Sequence, residues 1–416
     1  VPAATIRVPA DYPTINQALD AASFGDEVLV APGVYDDFET REGLTSAAFL
    51  KDGVTLVSKD GPEATTIRMD YDGGDSSILL AFFLPSEDTT VDGFTITGQS
   101  LFASGLATLG CERVTVKNCR FVDLDNGLQQ GGGISAVDSD VYALNCHFLR
   151  CVTTGFAAAI RSTDADLFVD SCVFEDCMGG AIRAIGSTFV FSGGSVTNSV
   201  FLNNTGITGG GALVLSSKPT FTVEGCWFEG NTTAGSSGGG LVASASFEPT
   251  LFVRNNVFVG NSAGPGWRGG GLNWSRSRGE LTNNTFYGNH ADPGEEGSAC
   301  WVRSNDLTLS NNVFVQNTGS PALAISLVQG SQPTAGCNLF WDNPGGDSED
   351  YEVQPTDLFV DPEFCDAENH DFTVSVDSPC LPQSSGGCGL IGALGEGCGV
   401  VSVEDATWAE IKARYR

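Results

Sequence analysis

Phenylalanine recurs at positions 94, 121, 148, 174, 201, 228, 258, 286, 314 and 340, with successive spacings of 27, 27, 26, 27, 27, 30, 28, 28 and 26 residues. A sustained period of this length is the mark of an architecture in which one small unit stacks on the next. Within each unit, apolar residues alternate before the Phe: Leu167 and Val169 precede Phe174, Phe221 and Val223 precede Phe228, and Leu307 and Leu309 precede Phe314. That period of two is strand, not helix. A second short strand follows glycine runs such as Gly131-Gly132-Gly133, Gly209-Gly210-Gly211, Gly238-Gly239-Gly240 and Gly269-Gly270-Gly271. These glycines supply bends where a Cβ would obstruct, and they let stacked backbones approach.

A unit of this size is too short for a strand–helix–strand crossover and for a propeller blade. The remaining solution is an all-β parallel solenoid of about 11–12 coils, each rung about 4.8 Å from the next. Every coil then adds one Phe to an internal stack. Asn204, Asn231, Asn261, Asn289, Asn317 and Asn343 each fall three residues after a repeat Phe, so their amides are expected to form a hydrogen-bonded ladder. Cys151 and Cys177 share that column. Cys119, Cys146 and Cys172 share another with Asn256, Asn284 and Asn312. Buried thiols filling a small slot are the simple reading, with a Cys151–Cys177 or Cys146–Cys172 disulfide also within reach.

Composition narrows the function classes. Twenty Lys and Arg against 51 Asp and Glu give a net charge of −31, which disfavours nucleic acid and anionic lipid as partners. No apolar run is long enough for an integral membrane helix. The start at Val1 suits either a cytosolic protein or an extracellular or cell-surface one whose signal peptide has been removed, and thirteen cysteines favour the second.

The ends depart from the repeat. Residues 1–27 read as an N-terminal cap, with Thr14 as N-cap of a short amphipathic helix. Residues 28–345 read as the solenoid and 346–400 as a Cys-rich C-terminal cap. There, Cys365, Cys380, Cys388 and Cys398 are expected to form two disulfides, in any of the three pairings. Residues 401–416 read as a short, helix-compatible tail with Trp408, Ile411 and Tyr415 on one face.

Candidate sites must be read down columns, because residues one period apart are neighbours. Asp138 and Asp164 lie ten residues before a repeat Phe, and Asp140 and Asp166 eight before. Four converging carboxylates form a candidate Ca2+ site or a solvated acidic edge. Arg161 and Arg183 follow Ile160 and Ile182 and should stack on one outward face, as a clamp for a uronate or as surface charge, with one Arg as a candidate catalytic base. Trp267, Trp274 and Trp301 with Arg276 form a candidate carbohydrate-binding cluster, Trp274 being equally suited to an inward position. Asp292 and Glu295 beside them are candidate carboxylates for hydrolysis. No organic cofactor is expected, since no phosphate-cradling or nucleophile-elbow motif stands in a supporting context.

The repeat, the opening YPTINQALDAASFGDEVLVAPGVY and the closing DLFVDPEF, DFTVSVDSPC and IGALGEGC resemble the right-handed parallel β-helix superfamily of pectin-lyase-like fold. In particular they resemble its bacterial secreted proteins with an Asn-x-Phe-x-x-Asn repeat. The resemblance implies a right-handed coil over residues 6–398. It does not imply one activity, because that superfamily holds polysaccharide lyases, glycoside hydrolases, esterases, tailspikes and adhesins. Its lyases use Ca2+-binding carboxylates and an Arg or Lys base; no segment here matches those local motifs or the paired-Asp signatures of the hydrolases. The expected function is a rigid surface or extracellular protein that presents a binding face to a polysaccharide or cell-surface glycan. The alternatives are a polysaccharide lyase or glycoside hydrolase, and a subunit of a homo-oligomeric fibre.

Overall fold

A computed structural model describes residues 3–398 apart from 72–75, 87–88, 100–102, 128–130, 187–192, 208, 217–219, 245–249, 305 and 327–332. The expected tail at 401–416 lies outside the described residues.

The chain winds through three long sheets in turn. Sheet I has 13 strands, from Thr5–Val8 to Thr334–Gly336; sheet II has 12, from Gly33–Tyr35 to Leu339–Trp341; sheet III has 14, from Glu39–Arg41 to Ser348–Glu349. Pairing is parallel throughout except for the hairpin of Glu39–Arg41 with Leu44–Ser46. The result is the expected parallel β-helix of about twelve turns. Its first rung starts earlier than the sequence suggests: Thr5–Val8 already pairs in register with Glu27–Val30. The helix Ile15–Ala21 closes that end with Ile15, Ala18 and Leu19 buried, and the Thr14 hydroxyl accepts the Gln17 N–H.

Each coil turns its corners on single residues in the left-handed region. Between sheets I and II that corner is Asn118, Asn145, Ser171, Asn198, Asn255, Asn283 or Asn311 in seven coils, all with φ of 48–59°, while Gly93, Gly225 and Cys337 hold it in others. Asn tolerates this conformation because its short polar side chain can bond locally. The glycine runs serve approach as well as bending. A Cβ on Gly133 would lie 2.5 Å from the Ala159 carbonyl and 2.8 Å from the Phe148 ring.

Inside, the rings from Phe121 to Phe340 form one stack, neighbouring centroids 4.7–5.1 Å apart and planes within 11°. Phe94 does not belong to it. Ile96 is the residue in register with Phe121, and Phe94 stands on the Cys119 column instead. The equal spacing at 94 was a coincidence of a shifted rung. Both Asn columns are ladders. In each, the amide Nδ2 donates to the next Asn Oδ1 and to a carbonyl of the previous coil, while Oδ1 also accepts a backbone N–H. Cys177 and Cys226 feed their N–H groups into the first Asn of each ladder. At the far end Asp357 takes the Asn338 N–H, and Phe359 stacks on Phe340.

The cysteine expectation is corrected in part. Cys365 pairs with Cys398, but Cys388 pairs with Cys337 of the last coil, and Cys380 is a free, buried thiol. Cys146, Cys151, Cys172 and Cys177 are also free, so the coil-to-coil disulfides do not form. The Cys337–Cys388 bridge shows why: the C-terminal segment does more than close an end. It runs back along the outside of sheet II as a strap. Phe372 packs on Trp227 and Tyr287, Asn283 and Asn311 donate to the Leu390 carbonyl, and Ala393 N–H reaches the Thr285 hydroxyl. Sheet II is thereby sealed over its C-terminal half. Among the described residues, no such strap crosses the outer faces of sheets I and III.

Candidate functional site

On sheet III the inward residues are aliphatic, such as Ile134, Ile160, Ile182, Leu213, Leu241 and Leu272. Alternation therefore turns the following residue of each strand outward. The register places Ser135, Arg161, Arg183, Val214, Val242, Asn273, Trp301 and Ala324 in one exterior column. Arg161 and Arg183 are direct neighbours in it, as the sequence led us to expect.

Their environment is unusual for so acidic a protein. Among the described residues neither guanidinium has an ion-pair partner, and the Nε of each is buried without a hydrogen bond. The Arg183 guanidinium carbon lies 4.0 Å from the Phe156 ring centroid, a cation–π contact that holds it flat. Burial lowers the pKa of both groups from the ordinary arginine value, and for Arg183 the like charge of Arg161 lowers it further. Half-buried guanidiniums with spare donors are able to accept a planar anion.

The other sequence candidates are scattered. Trp274 is a correction: it faces inward with 0% of its surface exposed, and its indole N–H donates to the Ser277 carbonyl, so it cannot meet a ligand. Trp301 faces outward but is only 6% exposed, because the Arg268 guanidinium lies 4.7 Å over its ring. Arg268 is in turn paired with Glu296. Trp267 is 45% exposed on the loop before the strand Leu272–Ser275. Arg276 is exposed at the corner after that strand, in the left-handed conformation with φ 56°.

Asp138 and Asp164 occupy that same corner in their own coils, with φ of 47° and 55°. Asp140 Oδ1 accepts the Asp166 N–H, and Asp166 Oδ1 accepts the Gly193 N–H, so these carboxylates tie one coil to the next. Among the described residues, no three His, Cys, Asp or Glu side chains gather as a metal-holding group. Asp292 takes the Gly266 N–H at 3.4 Å and sits 3.6 Å from His290 Nε2; Glu295 is half-exposed three residues on. Their loop precedes the strand Cys300–Arg303, five rungs from Arg161, which is roughly 24 Å at the usual strand spacing. The arginines and these carboxylates are therefore not brought together in one centre.

Desolvation pushes Cys226 up to about 12 and holds Cys119 and Cys146 well above the usual thiol range, the opposite of an activated nucleophile. One feature escaped the sequence reading: a cavity of about 300 Å³ on the outer face of sheet I, built around Phe252. The available signal was Phe252 itself, a large aromatic at an outward position between the inward Leu251 and Val253.

Residues 226–350 match a family model described as a right handed beta helix region. No curated protein matches the chain. Among solved structures, similarity extends to the PL6 family alginate lyase AlyGC, with 16% identity and a TM-score of 0.45 over 85% of this chain and 53% of that one. The Azotobacter vinelandii mannuronan C-5 epimerase AlgE4 A-module gives 16% and 0.44, over 83% of this chain and 94% of that one. PfbA, a surface adhesin of Streptococcus pneumoniae, gives 14% and 0.46, over 84% and 94%. The chain thus spans about half the length of the alginate lyase. The family model over residues 226–350 and the three parallel sheets agree that this chain is a right-handed parallel β-helix.

Proposed function

We propose that the protein is an extracellular or cell-surface β-helix that binds an acidic polysaccharide along the outer face of sheet III. The observation that carries this reading is the Arg161–Arg183 pair, half-buried, in register and without an acidic partner among the described residues of a chain of net charge −31. Such a pair offers forked donors to successive carboxylates of a polymer lying along the rod. Two disulfides, Cys337–Cys388 and Cys365–Cys398, support an oxidising compartment. The rigid core keeps the column fixed, so little ordering is needed on binding.

A second reading, β-elimination of a uronate polymer, is favoured by one observation: burial lowers the pKa of both arginines, which moves them toward the range of a general base. The base would take the C5 proton as the C4–O bond breaks, a C4–C5 double bond would form, and the departing oxygen would take a proton from solvent.

Both readings are tested with one panel of acidic and neutral polysaccharides, read for binding and for the ultraviolet absorbance of an unsaturated product, with and without EDTA. Binding of an acidic glycan is expected to fall by about tenfold or more in Arg183→Ala, and Arg183→Lys should restore only part of it. Binding should also weaken as salt rises. Equal binding of acidic glycans by wild type and Arg161→Ala/Arg183→Ala would end the proposal. Absorbance growing with time would select the second reading.

A further inference from the structure

Sheet I carries a second outward column, and its chemistry differs from that of sheet III. In register from coil to coil stand Tyr142, Phe168, Ser195, Thr222 and Phe252, followed by Glu280 and Thr308. Tyr142 and Phe168 stack on each other at 4.5 Å from rung to rung, and the Arg113 guanidinium lies 5.2 Å from the Tyr142 ring, so this half-exposed pair turns ring edges outward. Two hydroxyl side chains follow. Phe252 then forms one wall of the cavity of about 300 Å³, where Thr250, Arg278, Glu280, Asp306 and Thr308 also line the space.

We propose that this face is a separate binding site for an uncharged glycan chain, with one sugar unit seated in the Phe252 cavity. An aromatic face suits the C–H side of a pyranose ring. Around it the cavity sets carboxylates, a guanidinium and hydroxyls, which are the groups that hold vicinal sugar hydroxyls in place. Glu280 has no hydrogen-bond or ion-pair partner among the described residues and lies between Phe252 and Thr308 in the register, so its two oxygens are available as acceptors. Arg278 faces Asp306 at 3.8 Å, and that pair neutralises itself. The cavity is left with the Glu280 charge, which repels an anionic polymer and tolerates a neutral one. Its volume sits at the lower edge of the range for ligand pockets, suited to a single ring rather than a large cofactor. Four rungs, roughly 19 Å, separate the strand of Tyr142 from that of Phe252, so a chain seated in the cavity can extend past the Thr222 and Ser195 hydroxyls toward the edge of Phe168.

The site does not depend on the sheet III reading, and the two are separated by their variants. Neutral oligosaccharides of the gluco, manno and galacto series are titrated calorimetrically into the full chain, into Phe252→Ala and Glu280→Gln, and into Arg161→Ala/Arg183→Ala. At least one neutral series should bind wild type and the double arginine variant equally. Phe252→Ala should weaken it by about tenfold and Glu280→Gln by several-fold. No binding of any neutral series, or unchanged affinity in Phe252→Ala, overturns the proposal, as does a neutral ligand lost only in the arginine variant. Should Phe252→Ala fail to fold, Glu280→Gln decides: unchanged affinity overturns the site and a several-fold loss supports it.

Discussion

Replacing Phe228 with alanine is expected to destabilise the protein by about 3–5 kcal/mol. The ring is fully buried, with Phe201 and Phe258 stacked at 4.7 Å on either side. Removing it deletes the transfer free energy of a large apolar group and both stacking contacts, and leaves a cavity in the middle of the rod. The neighbouring coils cannot close that gap, because their spacing is held by backbone hydrogen bonds on three sheets. In a solenoid each coil contacts only its neighbours, so the lesion also weakens coupling between the two halves. Chemical denaturation followed by circular dichroism should show a lower midpoint and a broader or divided transition. A loss below about 1 kcal/mol would mean that the stack is not the main source of coil-to-coil cohesion.

Asn284→Ala is expected to cost about 3 kcal/mol or more, although it removes only a small polar side chain. The Asn284 amide accepts from the Asn256 backbone N–H and side chain, and donates to Asn312 Oδ1 and to the carbonyls of Val253 and Thr282. Truncation leaves those groups unpaired in a fully buried column. Stranding a buried donor or acceptor costs more than the bond it made. Hydrogen exchange at Asn256 is the direct check, since its N–H loses its acceptor and should exchange faster than in wild type. Unchanged protection there, with unchanged stability, would show that the ladder contributes nothing.

The two columns just described could be read directly from spacing, because in a coil the residue above is always about one period away. Phe148, Phe174 and Phe201, and Asn284 with Asn312, needed no other information. Phe94 shows where counting fails. One rung is offset by two residues, and the Ile96 register, not the interval, decides what stacks on Phe121. Arg161 and Arg183 were legible as a pair for the same reason. Their lack of counter-charges was not, since it depends on where every acidic side chain of the surface comes to rest.

The aromatic cluster marks the other limit. Trp267, Trp274 and Trp301 are close in sequence, yet one is exposed, one is core and one lies under Arg268. Adjacency along the chain brought them near a common rung without saying which side of the wall each would take. The Phe252 cavity was missed because its walls come from four successive coils and only the aromatic stands out in the sequence.

From its residues alone, then, the chain determined its period, its stacked interior and the neighbours within each column, because those depend on short intervals repeated many times. Only the tertiary structure decided which faces remain open. The strap that covers sheet II joins residues more than a hundred positions apart, such as Asn283 and Leu390, and Cys388 takes its partner from the last coil. Such contacts form wherever apolar area and free carbonyls meet across the finished surface, and no local periodicity encodes that meeting.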